Sequence, residues 1–231
     1  MPSKRYKKAL AMVDLKKSYT LDEAIDLLKK FPKVKFDETI EVAFKLGVDP
    51  KHSDQMVRGT VPLPHGSGKQ VRVLVFARDG AAADSARQAG AEFVGFEDMM
   101  KKCSDGWVDF DVAIATPEAM SEVRKLGKIL GPRGLMPNPK TGTVTEDTGK
   151  AVTEVKAGRV EFKVDKGANV HVTVGKVSFK ENQLADNARA VIDAVTKARP
   201  ASVKGNFMRS CTLASTMSPP VHLDLRGLVA A

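Results

Sequence analysis

Three stretches of this chain alternate apolar and polar residues with period two. Ile40, Val42, Phe44 and Leu46 alternate with Glu41, Ala43 and Lys45. Val160, Phe162 and Val164 alternate with Glu161, Lys163 and Asp165, and Val170, Val172 and Val174 with His171 and Thr173. This period places one set of side chains in a core and the other in water, which predicts antiparallel strands with one open face. Two helices accompany them. Thr20-Leu21-Asp22-Glu23 is a capping box that opens a helix with Leu21, Ala24, Ile25 and Leu28 on one stripe, stopped before Pro32. Leu184, Ala188, Val191, Ile192 and Val195 mark a second amphipathic helix, ended by Pro200.

The pattern changes in the middle of the chain. Val71 to Phe76 and Phe110 to Ala115 are continuously apolar, as strands covered on both faces are. Helical stretches lie between and after them: Ala81 to Ala89, Glu97 to Cys103, and one entered through Thr116-Pro117 and left at Gly127. Strand and helix in alternation predict a small parallel α/β layer. The expected fold class is therefore α/β in two parts. A discontinuous α+β domain, with a mostly antiparallel sheet and two helices, spans 1–66 and 156–231. A three-layer, Rossmann-like α/β domain is inserted at 67–155. Pro62-Leu63-Pro64-His65-Gly66-Ser67-Gly68 and Lys156-Ala157-Gly158 form the joints, and two glycine-containing crossings predict a hinge.

Charge follows the same division. The chain of 231 residues carries +9 overall. Residues 67–154 hold 12 Lys or Arg against 13 Asp or Glu, whereas the outer segments hold 25 against 15. All the excess positive charge thus lies in the outer segments, an electrostatic footprint for phosphate backbones. Lys4, Arg5, Lys7 and Lys8 open the chain, but no apolar core of signal-peptide length comes after them, because Asp14, Lys16 and Lys17 intervene. Apolar runs are only strand-sized, too short for a membrane span. Cys103 and Cys211 are isolated from one another and from the histidines. Neither a zinc site nor a disulfide framework is indicated, and a reducing, cytoplasmic setting is expected.

Most candidate chemistry fails on spacing. Gly66-Ser67-Gly68-Lys69 lacks the earlier glycine and the following hydroxyl of a phosphate loop, because Leu63 and Gln70 occupy those places. Asp109 and Asp111 flank Phe110 at a strand start, where solvation of a strand edge explains them better than a metal or an acid/base pair. Gly131-Pro132-Arg133-Gly134 fits the loose GXXG pattern of a backbone clamp, but Pro132 removes a donor. No enzyme, cofactor or metal is expected.

RNA-binding material lies in the outer segments. Lys35 and Phe36 precede the first alternating strand, with Glu38 and Thr39 at its start. Lys204 begins a stretch leading into another strand, where Ser210, Thr212 and Thr216 recur at even spacing, which predicts a shared face. Hydroxyls on a flat face recognise ribose 2′-OH groups and phosphate oxygens. Aromatic residues make up only 6% of the chain, too few for a stacking row along a single strand, so a folded RNA is the expected partner. Two rivals are a non-specific basic RNA-binding protein and a nucleotide-binding enzyme on the α/β insert.

The run Gly131 to Val144, GPRGLMPNPKTGTV, combines three prolines with three glycines and predicts a long exposed loop of stiff shape. Its wording resembles the signature of the ribosomal protein L-1 family. So do KFDETIEV from Lys35, VRGTVPLPHGSGKQVRVLVFA from Val57, AGAEFVGFEDM from Ala89, DFDVAIATPEAM from Asp109, KAGRVEFKVDKG from Lys156 and LADNARA from Leu184. The resemblance is to the bacterial form. It implies a large-subunit ribosomal protein of the mobile stalk, monomeric outside the ribosome, that binds large-subunit rRNA. It further implies help in releasing deacylated tRNA from the exit site and repression of its own mRNA. By the same resemblance, RNA contacts fall on Lys35, Phe36, Glu38, Thr39, Lys166, Lys204, Ser210, Thr216, Met217 and Ser218. The family's Thr-Met-Gly is Thr216-Met217-Ser218 here, and this departure is expected to restrict φ and weaken binding.

Overall fold

The computed structural model of the chain describes residues 3–226. In chain order its elements begin with α1 (Lys4–Leu10), α2 (Leu21–Lys30), β1 (Thr39–Leu46), β2 (Arg58–Pro62), β3 (Val73–Phe76), α3 (Ala81–Gln88), β4 (Phe93–Gly95), α4 (Glu97–Ser104) and β5 (Val112–Ala115). They continue with α5 (Pro117–Val123), α6 (Gly127–Leu130), α7 (Thr148–Lys156), β6 (Arg159–Lys163), β7 (Asn169–Lys176), α8 (Glu181–Lys197), β8 (Met208–Ser215) and β9 (Val221–His222). Backbone contacts separate two compact units, 1–68 with 159–231, and 69–158. The second crossing falls later than the sequence suggests because α7 belongs to the inner unit. At its last residue, Lys156 Nζ bonds the Glu92 carboxylate at 2.7 Å and the Gly90 carbonyl.

In the outer unit, four strands run in the order β7-β1-β8-β9, each antiparallel to its neighbour. Period two decides their faces. Ile40, Val42, Phe44, Leu46, Val170, Val172, Val174, Cys211 and Leu213 are buried, and α2 and α8 pack over this side. Glu41, Ala43, Lys45, His171, Thr173, Ser210 and Thr212 occupy the other, partly or fully exposed side. The predicted capping box of α2 is formed: Thr20 N–H donates to Glu23 Oε2 at 3.0 Å, and Glu23 N–H to Thr20 Oγ1 at 3.4 Å. Burial of Ile25 and Leu28 on its stripe contributes about 1.5–3 kcal/mol each. A third helix, α1, was not legible from periodicity, since only Ala9 of its seven residues is buried. β2 and β6 form a separate antiparallel ribbon.

The Gly66–Gly68 connection that imitates a phosphate loop is a fastened joint. Asn187, fully buried on α8, accepts from His65 N–H at 3.0 Å and donates to the carbonyls of Gly66 at 2.9 Å and Val174 at 2.7 Å. The amide oxygen and both amide hydrogens are bonded to the backbone, which satisfies a buried polar group that is otherwise costly.

The inner unit is a parallel sheet of order β4-β3-β5 between two helical layers. Val73, Val75 and Ile114 pack with Ala83 and Ala86 of α3 and with Ala151, Val152 and Val155 of α7. Leu74, Phe76, Ala113 and Ala115 pack with Cys103 of α4, Ala119 and Val123 of α5, and Leu130 of α6. Every residue of β3 is buried because both faces are covered, hence the continuous apolar run. The helix entered at Pro117 is not uniform: a 3₁₀ turn at Arg124–Leu126 separates α5 from α6. Gly131 to Val144 is only partly the exposed loop expected. Residues 131–134 are exposed, but Leu135 and Met136 pack on the core, and Pro137 and Thr141 are buried. Asn138 caps a short 3₁₀ turn at Pro139–Thr141, and the chain then pairs with β5 through Ala115 N–H to Thr143 O at 2.9 Å and Thr145 N–H to Ala115 O at 3.1 Å. The Asp109/Asp111 pair is a strand-edge ion cluster. Arg72 contacts both carboxylates, and Lys69 Nζ lies 2.6 Å from Asp111.

Candidate nucleic-acid interface

Seven of the ten residues singled out by the sequence converge on one edge of the outer sheet, where β1 begins and β8 ends. The segment ahead of β1 is tied to the residues after β7. Ser178 donates from its N–H and its hydroxyl to the Asp37 carboxylate at 3.1 and 2.7 Å, and Val177 N–H donates to the Glu38 carbonyl at 2.9 Å. A bulge in β7 near Gly175 shifts its register, and beyond it Lys176 Nζ reaches Thr39 Oγ1 at 2.7 Å. Held by these ties, Lys35 points to solvent and Phe36 projects with 54% of its surface exposed.

The turn after β8 is pinned to the same place. Thr39 N–H donates to Thr216 Oγ1 at 3.1 Å, while the Thr216 N–H and hydroxyl both donate to the Thr39 carbonyl, at 3.1 and 3.3 Å. Glu38, an acid in a basic unit, is buried, and its carboxylate accepts from Met217 N–H at 2.9 Å. Met217 is thereby presented with half of its surface exposed, on the same edge as Phe36. The result is a pair of exposed apolar side chains with lysines and threonine hydroxyls about them, on a backbone tied at Glu38, Thr39, Thr216 and Met217.

Even spacing misplaced Thr216. Ser210 and Thr212 do lie on the open face, opposite Lys45 and Ala43 of β1, but β8 ends at Ser215 and Thr216 sits in the turn beyond it. Ser218 does not carry the backbone restriction expected of it. Among the described residues Ala168 alone of the non-glycines has a positive φ, so position 218 has no left-handed backbone that glycine would serve. The Ser218 hydroxyl accepts from Ser215 N–H at 2.9 Å, and Ser218 N–H donates to the Ser215 carbonyl at 3.1 Å. The side chain closes the turn.

Lys166, Lys204 and Ser210 are not part of this cluster. They mark the opposite end of the sheet, about 20 Å away along β1 at ~3.3 Å per residue. There Lys166 is exposed in the β6–β7 turn, which Asp165 organises by accepting from the N–H groups of Gly167 and Asn169 at 2.8 and 2.7 Å. Those bonds hold the Asp165 carboxyl below its usual range. Lys45 Nζ bonds the Gly167 carbonyl, and Ser210 faces Lys45 across the strands. The loop that carries exposed Lys204 lies against Gly47, where a Cβ would stand 2.3 Å from the Asn206 carbonyl oxygen. Only glycine permits that approach. Several residues with contacts in the main cluster escaped sequence reading, Ser178, Lys176 and Arg5 among them. Lys176 closes an alternating strand without a motif of its own, and Arg5 lies in the basic opening of the chain, which on sequence alone invites only a signal-peptide reading.

The comparisons agree with one another. The model of the Ribosomal protein L1p/L10e family matches residues 28–219. The chain is 55% identical over 230 residues to the large ribosomal subunit protein uL1 of Persephonella marina, covering 98% of this chain and 95% of that one. It is 54% identical over 225 residues to the protein of the same name from Protochlamydia amoebophila, covering 97% and 95%. A family model spanning most of the chain, with relatives this similar from end to end, settles the question of kinship: the chain belongs to the ribosomal protein L1p/L10e family.

Proposed function

We propose that this protein is a constituent of the large ribosomal subunit in the cytoplasm and binds a folded segment of large-subunit rRNA, that of the mobile stalk, through the outer unit. The observation that carries this reading is the edge cluster itself. Phe36 and Met217 are exposed beside Thr39 and Thr216; Glu38 holds the Met217 N–H, and Asp37 and Ser218 tie the flanking segments. Such an arrangement offers apolar surface to ribose and base faces, with polar groups nearby for 2′-OH and phosphate oxygens. Lys166, Lys204 and Ser210 at the far end of the sheet supply further RNA contacts, and the basic excess of the outer segments steers RNA toward both ends.

The same surface serves autoregulation when the protein's own mRNA presents a similar fold, and the stalk-bound protein assists release of deacylated tRNA from the exit site. Outside the ribosome the protein acts as a monomer. The test is competition binding of the intact protein to the stalk rRNA segment, with duplex DNA and a shuffled RNA as competitors across a salt series. Selectivity that persists as non-specific binding fades supports a shape-reading RNA-binding protein. Equal affinity for RNA and DNA at every salt concentration overturns it in favour of a basic coat protein.

A further inference from the structure

We infer that Arg5, on α1, is a positioning residue of the RNA site: its guanidinium links the Met217 carbonyl to the Pro32 carbonyl and thereby fixes the turn that presents Met217. The inference rests on the reading of the edge cluster as the RNA site. Arg5 Nη2 donates to the Met217 carbonyl and Nη1 to the Pro32 carbonyl at 3.4 Å. These acceptors are 185 residues apart in sequence, one in the turn after β8 and the other in the segment leading to Phe36. A planar guanidinium donates from two nitrogens in a fixed fork, whereas a lysine ammonium presents its donors from a single atom and does not reproduce that geometry.

The helix is built to aim this side chain. Ser3 caps α1 by accepting from Tyr6 N–H at 3.2 Å. Ala9, four residues after Arg5 and so on the same face, is completely buried in the outer core. Docking through Ala9 turns Arg5 inward, where it is half-buried, and leaves Lys4, Lys7 and Lys8 exposed. The basic stretch is therefore not uniform: three lysines face solvent while the arginine is spent on the protein's own backbone. Glu38 takes the N–H of Met217 and Arg5 its carbonyl, so Met217 is held from both sides by charged groups. Hydrogen bonds to charged groups are the stronger class.

The test compares Arg5→Lys, Arg5→Gln and Lys7→Gln in the full chain, titrated with the stalk rRNA segment from low to high salt, after circular dichroism shows each to be folded. Arg5→Gln is expected to weaken binding about tenfold at all salt concentrations, with the slope of log affinity against log salt unchanged. Arg5→Lys should fall close to Arg5→Gln, because charge without the fork does not link the two carbonyls. A slope reduced by about one counterion in Arg5→Gln, as expected instead for Lys7→Gln, would make Arg5 a phosphate contact and overturn the inference. So would full affinity in Arg5→Lys, or in Arg5→Gln. Absence of selective binding by the unaltered protein would overturn the underlying reading of the site instead.

Discussion

Thr216→Val removes one hydroxyl at nearly constant volume from the centre of the edge cluster. In the structure that hydroxyl accepts from Thr39 N–H at 3.1 Å and donates to the Thr39 carbonyl at 3.3 Å. The backbone bond from Thr216 N–H to the same carbonyl survives the substitution. Thr216 is exposed, so water can replace the lost partners, and the global stability cost should stay below about 1 kcal/mol. Binding is a harsher test. On RNA association the Thr39 N–H loses its water, and an unsatisfied group then costs about 1–3 kcal/mol. Affinity for the stalk rRNA segment should therefore fall about 5- to 150-fold while the melting temperature moves by a few degrees at most. Filter binding or fluorescence anisotropy, beside a thermal melt, reads both quantities. Thr216→Val protein that is folded and binds the RNA as tightly as the unaltered chain would remove this hydroxyl pair from the interface.

Three further outcomes are expected. Phe36→Ala deletes an exposed ring, so it should leave thermal stability nearly unchanged yet weaken RNA binding by about 1–3 kcal/mol; equal affinity in the same titration would take Phe36 out of the site. Ser218→Gly discards the hydroxyl that closes the 215–218 turn and loosens the backbone without relieving any left-handed strain, so it should weaken binding by roughly 1 kcal/mol, whereas tighter binding would show that the side chain obstructs RNA. In the inner unit, the Lys69 bond and the Arg72 backbone N–H lower the Asp111 carboxyl from 3.8 to about 2. A depressed acid contributes stability that is present above its unfolded value and is lost as pH falls from about 4 through 2, here at most about 2 kcal/mol. Trp107, the chain's one tryptophan, packs against Phe93 and Phe110 in the same unit, so its fluorescence tracks unfolding there. Asp111→Asn should flatten that acid dependence, and an unchanged profile would refute the assignment.

What could be read from the chain was what repeats locally. Period two placed Ile40, Val42, Phe44 and Leu46 inward, and the capping box at Thr20 placed the start of α2. The prolines of 131–144 announced a constrained segment, but not that Leu135 and Met136 pack on a core supplied by other elements. α7 went unread beside the Lys156-Ala157-Gly158 joint. The site divides the same way. Phe36 and Met217 carry a recognisable wording, but the contacts that organise them run from Thr39 to Thr216, Glu38 to Met217 and Arg5 to Met217, across 177, 179 and 212 residues. No window of sequence contains such pairs; the sheet pairing of β1 with β8 creates the first two, and the placement of α1 the third.

The proposed RNA site contains an acid, Glu38, and its bonding explains how a surface proposed for phosphates can hold one. A carboxylate about 6 Å from a phosphate would oppose binding by roughly 0.7 kcal/mol in water-like surroundings and by roughly 3 kcal/mol at the effective dielectric of a partly buried pair. A charge-assisted bond to a backbone N–H is worth about 1.5–3 kcal/mol, so a carboxylate spent on ordering the Met217 turn offsets a repulsion of that order. Glu38 meets the condition, since it is buried and accepts from that N–H. The division of labour comes from the ranges of the two effects. Exposed lysines attract RNA over a Debye length of about 8 Å without telling one sequence or shape from another. Discrimination needs groups held within a few tenths of an ångström, and here their immobility comes from Glu38, Arg5 and the threonine pair.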